Sequence, residues 1–253
     1  MMLLFTIACA PPDAPETLDK LGSYLFEEFE NPDDRYLEEG VNNLQLWVEE
    51  NREEVQEGYR IENLSVDAVN ALSLDRETNL DGLIGAAVAT DIKFSVEEML
   101  TVALETDPMD IDPDAYGYFE RDWQNDLDCF LSKECVSLSY FCEIKNNLPL
   151  GITTESKTFG VYKWVFIDDL SFAIQRRYLL EPAVSNQDWL DVDQEYAVTV
   201  YMPTDDGMRF MDIDWVVTRL GDIPAPEDFM LNLAIDAMSK SRKQLEAYIE
   251  ENQ

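Results

Sequence analysis

The sequence predicts an α+β fold in which a curved antiparallel sheet of seven strands packs on a long C-terminal helix, with a helical extension in front of the sheet. Two observations carry this prediction. Between Leu83 and Val217, short runs of alternating apolar and polar residues recur with turn signals between them, so that neighbouring strands can pair as antiparallel hairpins. From Pro226 to Ile249 the period changes to 3.6 residues, with Met230, Leu233, Ala234, Ala237, Met238, Leu245, Tyr248 and Ile249 on one face. At 1.5 Å per residue that helix is roughly 35 Å long, more than a single strand can cover, so its partner is a whole sheet.

Composition sets the outer bounds. With 253 residues, 46% hydrophobic and 11% aromatic, the chain has the material for one sizeable core. Fifty-three acids against 18 bases give a formal charge of −35, which repels nucleic acid phosphate and anionic headgroups, so no nucleic acid partner is expected. The acids read as a solvating coat suited to saline surroundings, with multivalent cations or a basic partner as alternatives. There is no histidine. Its absence removes Ser-His-Asp and Cys-His catalysis, HExxH zinc sites, His-ligated haem and the two-His-one-carboxylate iron site. GxGxxG, Walker A and GxSxG motifs are missing too, and no cofactor is expected. Carboxylate-only enzymes survive this filter, but no pair of acids stands out.

In chain order, Met1 to Ala8 is an apolar run ending at Cys9, followed by the proline-rich stretch 11–15. Phe5-Thr6-Ile7-Ala8-Cys9 resembles the end of a bacterial lipoprotein signal, in which the cysteine is acylated. That resemblance implies that residues 1–15 comprise the signal, a lipid anchor at Cys9 and a stiff proline-rich tether over 11–15, and a place in the bacterial cell envelope, lipid-anchored or periplasmic or extracellular. Residues 16–82 form the helical extension. Leu18, Leu21, Leu25 and Phe29 make one helix; Tyr36, Val41, Leu44, Trp47, Val48 and Val55 make a second, ending near Gly58. Residues 65–69 can open a short helix.

The main domain spans 83–253. Ile84, Ala86, Val88, Ile92 and Phe94 mark a strand. Ser95, with Glu98 three residues on, caps a helix through Leu104. The acidic loop 107–114 places Asp110, Asp112 and Asp114 at the first calcium-ligand spacings, but Ala115 replaces the turn glycine and Arg121 the bidentate glutamate, so no metal site is assigned. Tyr116–Trp123 and Cys135–Ile144 are strands. Cys142 and Cys135 lie on opposite faces of the second, which leaves Cys129–Cys135 as the feasible disulfide and Cys142 as a buried thiol. Phe159–Ile167, Phe172–Leu180 and Tyr196–Met202 follow. Thr204-Asp205-Asp206-Gly207 turns the last hairpin, whose return strand has Met211, Ile213, Trp215 and Val217 on one face and Asp212 and Asp214 on the other. Pro226, Glu227 and Asp228 suit the first turn of the final helix.

From residue 83 onward, this order of elements resembles the helix-grip fold of the START and Bet v 1-like superfamily, in which a seven-stranded sheet wraps the last helix. The resemblance implies a cavity for an apolar small molecule or lipid. Tyr140, Trp164, Phe166, Phe172, Ile174, Arg176, Tyr178, Val198, Val200, Trp215, Met230, Leu233 and Met238 are its candidate lining. A filled core made by the same aromatics is the alternative. Arg176 shares a face with Phe172, Ile174 and Tyr178, so its cation needs a carboxylate from the protein or from a ligand. The functional expectation is non-enzymatic binding or transport, with the membrane reached only through the lipid anchor. The alternatives are an envelope scaffold or protein-interaction module with a filled core, and an enzyme using Asp, Tyr or Arg.

Overall fold

A computed structural model describes residues 13–76, 78–221 and 227–252. Cys9 with its apolar run, and Pro226 at the start of the last helix, lie outside the described residues. All nine strands belong to one antiparallel sheet. They are β1 (Tyr59–Ile61), β2 (Ile84–Ile92), β3 (Tyr116–Trp123), β4 (Ser137–Leu148), β5 (Ile152–Ile167), β6 (Leu170–Leu179), β7 (Val184–Ser185), β8 (Asp191–Thr204) and β9 (Gly207–Arg219). The spatial order is β1-β2-β9-β8-β6-β5-β4-β3, with β7 paired to β5. Seven of these are the expected strands. The two additions, β1 and β7, are three and two residues long, too short for alternation to show. β1 pairs with β2 (Ile61↔Gly85), so the sheet reaches across position 83 into the helical extension.

Eight α-helices complete the described fold: α1 (Leu18–Glu27), α2 (Arg35–Glu50), α3 (Arg52–Glu57), α4 (Val66–Asn70), α5 (Val96–Glu105), α6 (Pro108–Ile111), α7 (Leu127–Leu131) and α8 (Glu227–Asn252). Local chemistry sets their starts. Ser65 caps α4, and Ser95 with Glu98 closes a full capping box on α5. Asp107 and Asp126 cap α6 and α7, each accepting a backbone N–H with its side chain. Gly58 ends α3 at φ +99°, and a Cβ there would run into Ile235 of α8. No described helix is long and apolar enough to cross a membrane.

Because strand side chains alternate, the sheet has two faces, and both are covered. On the back face lie Ala87, Ala89, Phe172, Ile174, Tyr196, Val198, Val200, Met211, Ile213, Trp215 and Val217. They pack against Leu18, Leu21, Leu25, Phe26, Val41, Leu44 and Val48 of α1 and α2 in one large apolar core. Phe26 is its centre, edge-on to Tyr196 at 5.9 Å and to Trp215 at 6.0 Å. The front face carries α5, α7 and α8. There Ile92, Leu138, Tyr140, Cys142, Tyr162, Trp164, Tyr201 and Phe210 meet Met99, Leu100, Phe130, Leu245 and Ile249.

The buried stripe of α8 differs from the expected one. Ile235, Leu245 and Ile249 are buried, with Leu231, Ala234 and Met238 packed beside Ala86 and Val88 of β2, while Leu233 is 53% exposed. The stripe therefore runs 231-235-238-242-245-249, a strict three-four spacing that brings Arg242 under the helix. Choosing residues by apolarity alone had shifted the face toward Leu233 and Ala237.

Candidate functional site under the last helix

The site is built from the front-face alternates of the sheet. Register lines up Tyr140, Gly160, Arg177, Ala197 and Asp214 in one row across β4, β5, β6, β8 and β9. Large side chains in this row sit beside small ones. The Tyr140 ring lies over Gly160, where any Cβ would collide with it. The next row is Tyr162, Gln175, Thr199 and Asp212, and the one beyond it Trp164, Ala173, Tyr201 and Phe210.

Polarity therefore grades along the strands. At the apolar end Trp164 stacks on Phe130 of α7 at 5.4 Å and donates its indole N–H to the Phe130 carbonyl at 2.8 Å. A disulfide between Cys129 and Cys135 closes this loop across six positions, and Lys133 reaches from it over the Trp164 ring to Glu97. In the middle row Asp212, 3% exposed, accepts from Thr199 at 2.8 Å and from both arms of the Arg242 guanidinium, Nε at 2.8 Å and Nη2 at 2.5 Å. The same guanidinium lies 4.4 Å over the Phe210 ring. Gln175 donates to the Tyr140 hydroxyl at 2.6 Å. At the polar end Arg177 pairs with Glu195 at 2.5 Å.

Between this floor, α6 and the middle of α8 is a cavity of about 500 Å³. Tyr116, Phe119, Tyr162, Ile144 and Leu245 supply its apolar walls, and Arg121, Thr158, Gln175, Arg177, Glu195 and Arg242 its polar groups. Two polar atoms at this end are buried and have no hydrogen-bond partner among the described residues: Thr158 Oγ1 and Asp214 Oδ1. Burial raises the Asp214 carboxyl well above the usual carboxylate range, and Glu195 adds to this while Arg177 opposes it. Burial works against the charge on Arg177, but the Glu195 carboxylate beside it more than offsets this and holds the guanidinium above its ordinary value. Burial also pushes the Cys142 thiol up to about 11, so it stays a neutral, unreactive thiol at the cavity wall.

The candidate residues from the sequence divide between the two faces. Tyr140, Trp164 and Phe166 lie on the front, and only Tyr140 touches the cavity; Phe166 is 43% exposed beyond Trp164. Met238 packs under α8 against β2, Met230 is half-buried and Leu233 points to solvent. Phe172, Ile174, Tyr178, Val198, Val200 and Trp215 lie on the back, in the core beneath α1 and α2. The correction follows from a helical extension that claims the more apolar face of β6, β8 and β9. Arg176 goes with them. Its guanidinium is answered by Glu30 Oε1 at 2.8 Å and the Phe26 carbonyl at 3.3 Å, beside the rings of Phe26 and Phe29, so the carboxylate it needs comes from the protein.

The residues that do line the floor, Thr158, Gln175, Arg177 and Glu195, are the polar alternates of their strands, which a reading by alternation sends to solvent. One signal could have found them: Arg242 falls within the apolar spacing of α8 and requires an acid opposite. A second hollow, of about 680 Å³, lies beside the β8–β9 turn. Its cations are already engaged among the described residues, Arg52 and Arg209 with Asp91 and Lys93 with Glu250, so it offers no free cation to a ligand.

No family model matches the sequence, and no curated protein does. Among solved structures the chain is similar to the STAR-related lipid transfer protein from Xanthomonas axonopodis, with 10% identity, 70% of this chain and 97% of that one covered, and a TM-score of 0.41. It is similar also to the human StarD13 lipid transfer and protein localization domain, with 13% identity, 81% and 95% coverage and a TM-score of 0.38. Norcoclaurine synthase from Thalictrum flavum is a third, at 11% identity, 70% and 95% coverage and 0.40. The pairing of the sheet and the long helix laid along its front face give this chain a helix-grip arrangement.

Proposed function

We propose that this protein binds an apolar small molecule or lipid, without chemical conversion, in the cavity between α8 and the front of the sheet. The observation that carries the reading is the contrast between the faces: the back is covered by a large buried apolar core, whereas about 500 Å³ is open under α8, within the range of small-molecule sites. Aromatic walls would hold the apolar body, and the polar floor would orient it. Lipidation at Cys9 would keep the domain at the cell envelope, and a disulfide at Cys129–Cys135 accords with an oxidising compartment. The rival reading, a protein-interaction module, called for an apolar patch around Trp47. That ring instead packs on Tyr59 at 5.5 Å.

Thr158 supplies the test, since its buried hydroxyl has no partner to lose. Native mass spectrometry of the purified protein, with solvent extraction of anything carried along, is expected to show a stoichiometric apolar mass. Thr158→Val should retain it and Thr158→Phe, which fills the cavity, should lose it. A clean wild-type mass together with no binding to a panel of lipids and aromatics would overturn the reading in favour of the interaction module.

A further inference from the structure

The cavity holds a cation that the rest of this acid-rich protein does not answer. Alternation along β3 puts Phe119, Arg121 and Trp123 on the front face. The Arg121 guanidinium lies 5.1 Å from the Phe119 ring centre and 4.9 Å from that of Trp123, and it donates from Nη1 to the Ala103 carbonyl of α5 at 3.1 Å. It is half-buried and lines the cavity. All the other arginines are ion-paired to a carboxylate except Arg76, which spans two backbone carbonyls. Arg121 has one carbonyl and two rings. In a chain with nearly three acids per base, a guanidinium fixed in place with no ion-paired acid among the described residues is a pre-positioned anion receptor.

We infer that the ligand of this cavity is an amphipathic anion, an apolar body carrying one carboxylate or similar group, and that Arg121 takes the charged end. The inference rests on the cavity being a binding site and adds the chemical class of what it binds. The chain's negative charge opposes an anionic ligand, but that repulsion comes from acids spread over the surface and is screened beyond roughly 10 Å at 0.1 M salt, whereas a bidentate contact to Arg121 is not. The aromatic pair also suits the task. It holds the guanidinium plane without consuming its hydrogen-bond donors, so Nε and Nη2 stay available.

The experiment compares two probes of equal chain length, dodecanoate and 1-dodecanol, by isothermal titration against wild type, Arg121→Gln and Arg121→Lys. Wild type should prefer dodecanoate by about tenfold or more, the scale of a charge-assisted contact. Arg121→Gln should abolish that preference, and Arg121→Lys should restore part of it. Equal affinity of wild type for both probes, or an unchanged preference in Arg121→Gln, would overturn the anion inference and leave the cavity reading standing. Failure of both probes to bind wild type would overturn both together.

Discussion

The two faces of the sheet solve opposite problems with the same strands. On the back, β6, β8 and β9 present Phe172, Ile174, Val198, Val200, Ile213 and Trp215 to α1 and α2, and the contact is almost wholly apolar. On the front, the residues between them are Gln175, Arg177, Thr199, Asp212 and Asp214, and burial there depends on pairing each polar group. An apolar face can be filled by any helix of the right shape. A polar face must be matched group by group, and where the matching stops a cavity is left with the Thr158 hydroxyl unpartnered among the described residues. The apolar core and the open cavity thereby lie on opposite sides of one sheet.

Three substitutions sharpen this comparison. The largest effect belongs to the back: Phe26→Ala removes the ring at the centre of that core and should cost about 4 kcal/mol by urea denaturation, while ligand retention in the remaining folded protein stays normal. A smaller loss would mean that the helices are a loose cover. Next comes the front-face pair. Asp212→Ala leaves Arg242 under α8 without its carboxylate and should cost about 3 kcal/mol, and Asp212→Ala with Arg242→Met should recover part of it. If the double variant is no better than the single one, the penalty does not come from a stranded charge.

The smallest effect has the opposite sign. Asp214 has a folded-state pKa raised above the ordinary value near 3.9, so its contribution to stability is fully present below that value and is lost as the pH rises through the folded-state pKa. Asp214→Asn should therefore stabilise the protein at neutral and higher pH, on the order of 1 kcal/mol, and flatten the decline in stability on going from pH 5 to pH 9. Parallel melting curves for the variant and wild type across that range would show that Asp214 does not carry the decline.

How much of this was legible beforehand follows from the same contrast. The order of elements was readable because each element announces itself locally: alternation in the long strands, Ser95 with Glu98 at the start of α5, and three-four spacing in α1, α2 and α8. The partner of each face was not. A strand with Ile174 and Tyr178 on one side and Gln175 and Arg177 on the other reads as half-buried, and nothing within the strand says that the polar side is covered too. What decides is a contact over long sequence distance, Arg242 to Asp212, or Arg176 to Glu30. The cavity was legible only as an expectation from the fold, and its lining came out as the set of polar alternates that single-strand patterning sets aside.

The clasp that seals the back face also dictates an order of events during synthesis. Glu30 and the Phe26 carbonyl meet Arg176 across sequence separations of 146 and 150 residues, and Lys163 reaches the Phe29 carbonyl across 134. As the chain leaves the ribosome, α1 and α2 are complete long before β5 and β6 exist, so the surfaces they turn to those strands wait through about 100 residues of further synthesis. The exposed acids on those helices, Glu27, Glu49 and Glu50 among them, repel a neighbouring copy in the same unfinished state. The charge that surrounds the finished protein thus also keeps nascent chains apart until the sheet arrives to cover them.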